Sequence, residues 1–145
     1  MTNPQNTDTT TLQASAGFPP VEEDAALQLA YAIAAAADER KGGNITLVQV
    51  GDVSYLADYF VIVTGFSTVQ VRAITRSIEA TLEDDYNRRP LRMEGQMEGN
   101  WIVMDYGEVI VHVFMPEARE FYDLEAFWGH ANQMLYYPPT PPSSR

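Results

Sequence analysis

Residues 100–114 read Asn-Trp-Ile-Val-Met-Asp-Tyr-Gly-Glu-Val-Ile-Val-His-Val-Phe, with an apolar run on each side of a single glycine. The apolar runs on either side of Gly107 predict two strands that fold back on each other at that glycine. Because strand side chains alternate between the two faces of a sheet, Trp101, Val103 and Asp105 should share one face. A large aromatic beside a carboxylate suits docking of a basic partner, although core packing of Trp101 and Tyr106 explains the pattern equally well.

The segments around this hairpin alternate between helical and extended patterns. Leu27, Ala30, Tyr31 and Ala34 recur at helical spacing, and Ser67 with Gln70 has the form of a capping box at a helix start. Residues 58–64 are nearly all apolar, as expected of a central strand covered on both sides. In chain order we predict a helix over 22–41, strands over 45–50 and 58–64, a helix from 67, a strand over 91–94, the hairpin, and a last helix running from 116 through Trp128 towards Leu135.

This order of elements predicts a single α/β domain over residues 21–136. Its sheet should be mixed and mainly five-stranded, flanked by helices, with one parallel pair from the helical crossover and one antiparallel pair from the hairpin. Residues 1–20 are polar and without apolar periodicity, and residues 137–145 carry four prolines. We expect a disordered polar tail at the first segment and a proline-rich extended tail at the second.

The net charge of −11, with a single lysine at position 41, argues against a protein that wraps a phosphate backbone. If the chain acts near nucleic acid, it should hold a basic protein instead, although acidity that only maintains solubility explains the charge as well. No apolar run approaches the ~20 residues that cross a bilayer. Because the chain has no cysteine, it can form neither a disulfide nor a thiolate metal site. The cytoplasm is the expected location.

Residues that could carry chemistry are few. Gly65-x-Ser67 at a strand-to-helix turn would suit a phosphate, as in a nucleotidyltransferase. Such an enzyme also needs paired carboxylates for its metal, and no Asp-x-Asp or Glu-x-Asp lies on a predicted strand. His112 has no evident nucleophile or orienting partner, so a structural role is favoured. Arg119 could pair with Glu120 or Asp123, or reach back to a strand carboxylate.

Several blocks in this order resemble the ribosomal silencing factor family, also called iojap-like. The resemblance spans roughly residues 27–131. The blocks that carry it are 58–65, Gln70-Val71, Glu94-Gly95, 101–114, and Glu117-x-Arg119-x-Phe121-Tyr122-x-Leu124-Glu125.

The resemblance implies a nucleotidyltransferase-like fold without the catalytic carboxylates, and therefore binding without catalysis, cofactor or metal. It implies docking on the large ribosomal subunit, at its protein number fourteen on the inter-subunit face. There the protein would block joining of the small subunit and repress translation when nutrients or energy are scarce.

By the same resemblance, a docking role is expected for Trp101, Asp105, Tyr106, Glu108 and Glu94. A nucleotide-binding enzyme that uses Gly65 and Ser67 is the alternative. No direct DNA binding and no membrane association are expected, and a homodimer through a sheet edge is left open.

Overall fold

Six strands form one mixed sheet in the computed structural model, which describes residues 17–139. The order across the sheet is β3-β4-β5-β2-β1-β6. Only the central pair, β2 with β5, is parallel, and the other neighbours are antiparallel. The elements in chain order are α1 (Ala25–Glu39), β1 (Gly43–Gln49), β2 (Tyr59–Thr64), α2 (Thr68–Tyr86), β3 (Arg92–Glu94), β4 (Trp101–Asp105), β5 (Val109–Phe114), α3 (Pro116–Tyr122), α4 (Leu124–Phe127) and β6 (Asn132–Leu135).

The predicted mixed α/β domain is confirmed, and so are its central strand and its hairpin. Every residue of β2 is buried, as its apolar composition predicts. At the hairpin turn Gly107 has a φ of +94°, a backbone conformation that a residue with a Cβ rarely adopts. The Asp105 carboxylate accepts a hydrogen bond of 2.8 Å from the Gly107 N–H and thereby closes the turn.

Both long helices start at side-chain caps that also connect elements. Asp24 accepts a hydrogen bond from the Leu27 N–H at 3.1 Å at the start of α1, and one from the Tyr59 hydroxyl of β2 at 2.7 Å. Ser67 accepts one from the Gln70 N–H at 3.0 Å, which confirms half of the predicted capping box. The Gln70 side chain accepts from the Phe66 N–H, one residue earlier than a capping box requires.

The prediction of one long last helix is wrong. Asp123 adopts a left-handed conformation with a φ of +47° and separates α3 from α4. The chain then continues as β6, which pairs with the free edge of β1, so the sheet has six strands rather than five. The spacing of Phe121, Leu124 and Trp128 is helical, but an open strand edge provides backbone hydrogen bonds that local periodicity does not reveal.

The predicted tails lie largely outside the described residues, at 1–16 and 140–145. Residues 17–20 are described and contact the domain. The Phe18 ring stacks on Tyr59 with ring centroids 5.9 Å apart, and Asn132 donates a hydrogen bond to the Gly17 carbonyl. The packed part of the chain therefore begins earlier than the predicted boundary at residue 21.

Helices cover the two faces of the sheet unequally. α1 and α2 pack on one face over the larger part of the core, where Ala30, Ala34 and Ala37 are fully buried and allow close approach. On the opposite face, the short α3–α4 segment packs over a smaller cluster around Phe60 and Phe114. No helix within residues 17–139 is long and apolar enough to cross a membrane.

Candidate functional site

The part of the second sheet face that lies on β3, β4 and the start of β5 is only partly covered. We call it the open sheet face, and it consists of Glu94, Trp101, Val103, Asp105 and Ile110. The strand register places Glu94 opposite Val103 and Asp105 opposite Ile110, so these side chains point to the same side. Glu94 is exposed, and the other four are partly buried. Together with Arg92, all but Trp101 line a depression of about 270 Å³.

Trp101 packs against the domain and is also partly exposed. Its ring packs against Phe114 of β5 and Tyr122 of α3, with centroid distances of 4.8 Å and 4.5 Å. Its indole Nε1–H donates a hydrogen bond of 3.2 Å to Nδ1 of His112. Trp101 nevertheless keeps part of its surface exposed, beside Tyr122, which is 48% exposed. Trp101 is thus held by the domain while still facing solvent.

His112 lies beneath Trp101 and is 7% exposed. Its ring meets Phe60 edge-on, with centroids 4.7 Å apart. Burial disfavours the charged imidazolium and lowers the pKa of His112 to about 4, so the side chain is neutral near pH 7. Its Nε2 is buried and makes no hydrogen bond to any described residue.

Two predicted carboxylates lie on the open sheet face in different states. Asp105 is engaged within the domain, through the Gly107 N–H and through Arg92, whose Nη2 lies 3.9 Å away. Glu94 is exposed and makes no ion pair with another residue of the described range 17–139. Of the predicted acidic residues, Glu94 is therefore the one whose charge is available to a partner.

Glu108 is already paired within the chain. Its carboxylate accepts two hydrogen bonds from the Arg88 guanidinium, at 2.9 Å and 2.8 Å. This bidentate pairing lowers the pKa of Glu108. Arg88 also donates to the Tyr106 carbonyl, so the pair fixes the hairpin turn against the segment after α2. A partner would have to compete with Arg88 for this carboxylate.

Tyr106 lies on the other side of the sheet from Trp101. It is 1% exposed and belongs to the larger core beneath α1 and α2. Burial raises the pKa of its phenol, and its hydroxyl makes no hydrogen bond to the described residues. Because Tyr106 directly follows Asp105 at the strand end, alternation turns its side chain away. The structure therefore does not bring the Tyr106 side chain to the open sheet face.

Arg119 connects two strands to α4 through hydrogen bonds and an ion pair that the sequence did not predict. Its guanidinium is largely buried and donates to the hydroxyls of Thr64 on β2 and Thr46 on β1, at 2.9 Å and 3.1 Å. It also pairs with Glu125 of α4 rather than with Glu120 or Asp123. These contacts hold the α3–α4 segment, and with it Tyr122, against the sheet. Threonine hydroxyls on buried strands, Thr46 and Thr64, were the only signal in the sequence.

The turn at Gly65 and Ser67 offers little to a phosphate. The Gly65 N–H donates to the Phe114 carbonyl, and the N–H groups of Phe66 and Gln70 donate to side chains of the same turn. A Cβ at Gly65 would lie 2.8 Å from a methyl of Val71, so this glycine serves close packing of strand and helix. Within residues 17–139 no group of three or more His, Asp or Glu side chains is arranged to hold a metal ion.

A mixed six-stranded sheet, with helices mainly over one face and the other face partly uncovered, defines the class as a mixed α/β domain. Residues 23–144 match the family described as "RsfS: Ribosomal silencing factor during starvation", so the chain belongs to the ribosomal silencing factor family. This is a family of regulatory proteins that are not enzymes, and the predicted nucleotidyltransferase alternative is not supported.

Three relatives illustrate the likeness. "Ribosomal silencing factor RsfS" of Bacillus subtilis is 40% identical over 98 residues, which cover 68% of this chain and 82% of that protein. "Mitochondrial assembly of ribosomal large subunit protein 1" of Mus musculus is 31% identical over 59% of this chain and 38% of its own length. A solved structure of a Chromobacterium violaceum protein superposes with a TM-score of 0.68 at 27% identity, covering 81% of this chain and 92% of that one.

Proposed function

We propose that this protein binds the large ribosomal subunit through the open sheet face. Its direct partner is ribosomal protein number fourteen on the inter-subunit face. The bound domain occupies space that the small subunit needs, so it blocks subunit joining and represses translation when nutrients or energy are limiting. The mechanism is steric and requires neither cofactor nor catalysis.

The state of Trp101 is the observation that carries this proposal. Aromatic anchors that are fixed in place before binding lose little conformational entropy on association, and they dominate the energy of many interfaces. Trp101 is held by Phe114 and His112 yet is partly exposed, on the same sheet face as the exposed Glu94. The net charge of −11 adds long-range attraction to a basic ribosomal protein.

The family also supports the proposal. Its description refers to ribosome silencing during starvation, and the related mouse protein is named for assembly of the ribosomal large subunit. Both names point to the ribosome as the partner. Action in the cytoplasm stays a prediction, as does a homodimer through a sheet edge, which light scattering of the purified chain would test.

Reassociation of separated ribosomal subunits tests the proposal. Excess protein should keep the subunits apart on a density gradient, and Trp101→Ala should weaken binding to the large subunit by roughly 2 kcal/mol or more. Tyr86→Ala is the matched control, because Tyr86 is also a partly exposed aromatic (43%) but lies at the end of α2 on the other side of the sheet.

Two outcomes would contradict the proposal. Unchanged reassociation at a large molar excess of the wild-type protein would exclude the steric mechanism. Equal binding by the Trp101→Ala and wild-type proteins would exclude the open sheet face as the binding surface. Circular dichroism of Trp101→Ala distinguishes lost docking from lost folding, since an unfolded variant would instead assign Trp101 mainly to the core.

A further inference from the structure

We propose that His112 is a positioning residue for Trp101, and that it withdraws the indole N–H from the partner. The partner then meets only the ring of Trp101, through an aliphatic or cationic side chain and not through a hydrogen-bond acceptor. This inference rests on the proposed function for the place of docking. It goes beyond the proposed function because it assigns specific roles to the His112 imidazole and the Trp101 indole.

The hydrogen bond between Trp101 and His112 determines which N–H groups a partner could still bind. Tryptophan has one donor, Nε1–H, and no acceptor. That donor is directed to Nδ1 of His112 at 3.2 Å. Because Nδ1 accepts, the neutral imidazole must carry its proton on Nε2. An acceptor brought by a partner would therefore find no free donor on Trp101.

The position of His112 suggests that this bond is the reason for a histidine there. The flanking residues Val111 and Val113 are fully buried, and His112 itself is 7% exposed with an unpaired Nε2. An unpaired buried polar atom is costly, and an aliphatic side chain at this position would avoid that cost. The contact that compensates is the one to Trp101, which orients the indole at the surface.

The rest of the surroundings also holds the ring in place. Phe114 stacks on the indole at a centroid distance of 4.8 Å, with an interplanar angle of 25°, and Tyr122 contacts it at 4.5 Å. With its N–H bonded and its ring packed on two aromatics, Trp101 has one conformation before the partner arrives. Preorganisation of this kind improves affinity without adding contacts.

The chemistry of the partner follows from what remains accessible. Trp101 and Tyr122 present aromatic surface, and Glu94 on the same face presents a negative charge. A lysine or arginine matches both, because its aliphatic stem packs on the rings and its charge is attracted by the aromatic face and by the carboxylate. A carbonyl or carboxylate of the partner would be repelled by the Glu94 charge and would not be attracted to the aromatic faces.

Proton exchange of the Trp101 indole tests the role of His112 without a ribosome. In the protein labelled with ¹⁵N-tryptophan, the two indole signals are assigned with the Trp128→Phe variant. The Trp101 proton should exchange with water at least about tenfold more slowly than the proton of an exposed indole. His112→Leu should accelerate the exchange and shift the resonance. His112→Asn should restore both, because its amide oxygen lies near the position of Nδ1.

Exchange at the rate of an exposed tryptophan in the wild-type protein would overturn the proposal, whether or not the protein binds subunits. An unchanged signal in a folded His112→Leu variant would do the same. If the wild-type protein fails to bind the large subunit, the proposed function falls, and the exchange measurement still decides the role of His112. The two failures are therefore distinguishable.

Binding of the large subunit by two Trp101 variants tests the nature of the contact. Trp101→Phe keeps an aromatic ring without an N–H, and Trp101→Ala removes both. The affinity of Trp101→Phe for the large subunit should be within about threefold of the wild-type affinity, whereas that of Trp101→Ala should be about thirtyfold lower. Equal losses in two variants that are both folded at the assay temperature would overturn the proposal, because an aromatic ring at position 101 would then not be sufficient for binding.

Discussion

At the scale of single residues, the candidate surface depends on which polar groups are already bonded within the chain. Glu108 is held by Arg88, Asp105 closes the turn at Gly107, and the Trp101 N–H is bonded to His112. Of the three carboxylates predicted to dock, Glu94 is the exposed one. What a partner can bind is therefore a smaller set than the polar residues of the strands suggest.

The buried His112 should make the stability of the protein dependent on pH. Its folded pKa of about 4 lies below the ordinary value of 6.5, so between these values the unfolded chain binds a proton that the folded protein does not. The free energy of unfolding should therefore fall as the pH falls through this window, by about 2 kcal/mol between pH 7.5 and pH 5. Urea denaturation at the two pH values measures the change.

The matched control for this prediction is His112→Leu. Carboxylates titrate in both proteins, so the difference between their pH dependences isolates the histidine. Over the same pH interval, the free energy of unfolding of the variant should fall by about 2 kcal/mol less than that of the wild type. Parallel curves for the two proteins would show that His112 is not held neutral by burial.

At the scale of elements, Arg119 explains why the last helical segment is broken. Its side chain lies between the sheet and α4, where it joins Thr46 and Thr64 to Glu125. A continuous helix would carry residue 125 onward along the helix axis, whereas the left-handed Asp123 turns the chain so that Glu125 reaches Arg119. Tyr122, the last residue of α3 before this break, lies against Trp101.

Removing the Arg119 guanidinium should loosen this whole segment. Arg119→Met keeps most of the side-chain volume but leaves two buried hydroxyls and the Glu125 carboxylate without their donor. We expect the free energy of unfolding to fall by about 3 kcal/mol. Trp101 fluorescence in a Trp128→Phe background should also change, because Tyr122 is no longer held against the indole.

Arg89→Met is the control for this substitution. Arg89 also forms an ion pair, with Glu83 at 2.8 Å, but its side chain is 78% exposed. Solvent screens such a pair, and its loss should cost less than about 1 kcal/mol. Similar losses for the two variants, measured by chemical denaturation, would show that Arg119 does not hold the segment in place.

At the scale of the whole molecule, negative charge and one uncovered sheet area act together. A net charge of −11 favours approach of basic partners in general, and we propose that the exposed Glu94 directs this attraction to the open sheet face. We expect Glu94→Lys to weaken binding to the large subunit about tenfold at low salt, mainly through the association rate. The effect should shrink as added salt screens the charges.

Glu39→Lys changes the net charge by the same amount at a distant site. Glu39 is exposed at the end of α1, away from β3 and β4. If the local charge matters, Glu39→Lys should alter the association rate much less than Glu94→Lys does. Stopped-flow binding at two salt concentrations compares them, and equal effects would mean that only the overall charge contributes.

Features that depend on local patterns were predictable from the amino-acid sequence. Alternation along 101–105, the glycine at 107 and the apolar 58–64 segment predicted the hairpin, the central strand and the shared face of Trp101 and Asp105. The family resemblance also follows from the sequence, because it rests on blocks of residues in order. These signals are local because strand periodicity and turn conformation act over a few residues.

Contacts between residues that are distant in the sequence became visible only in the folded structure. It paired β6 with β1, connected Arg119 to two strands, and bonded Glu108 to Arg88 and Trp101 to His112. It also separated Tyr106 from the open sheet face. The physical reason is that burial and hydrogen bonding of a side chain depend on partners that lie far away in sequence. No local pattern specifies which of several acidic or aromatic residues will contact such a partner.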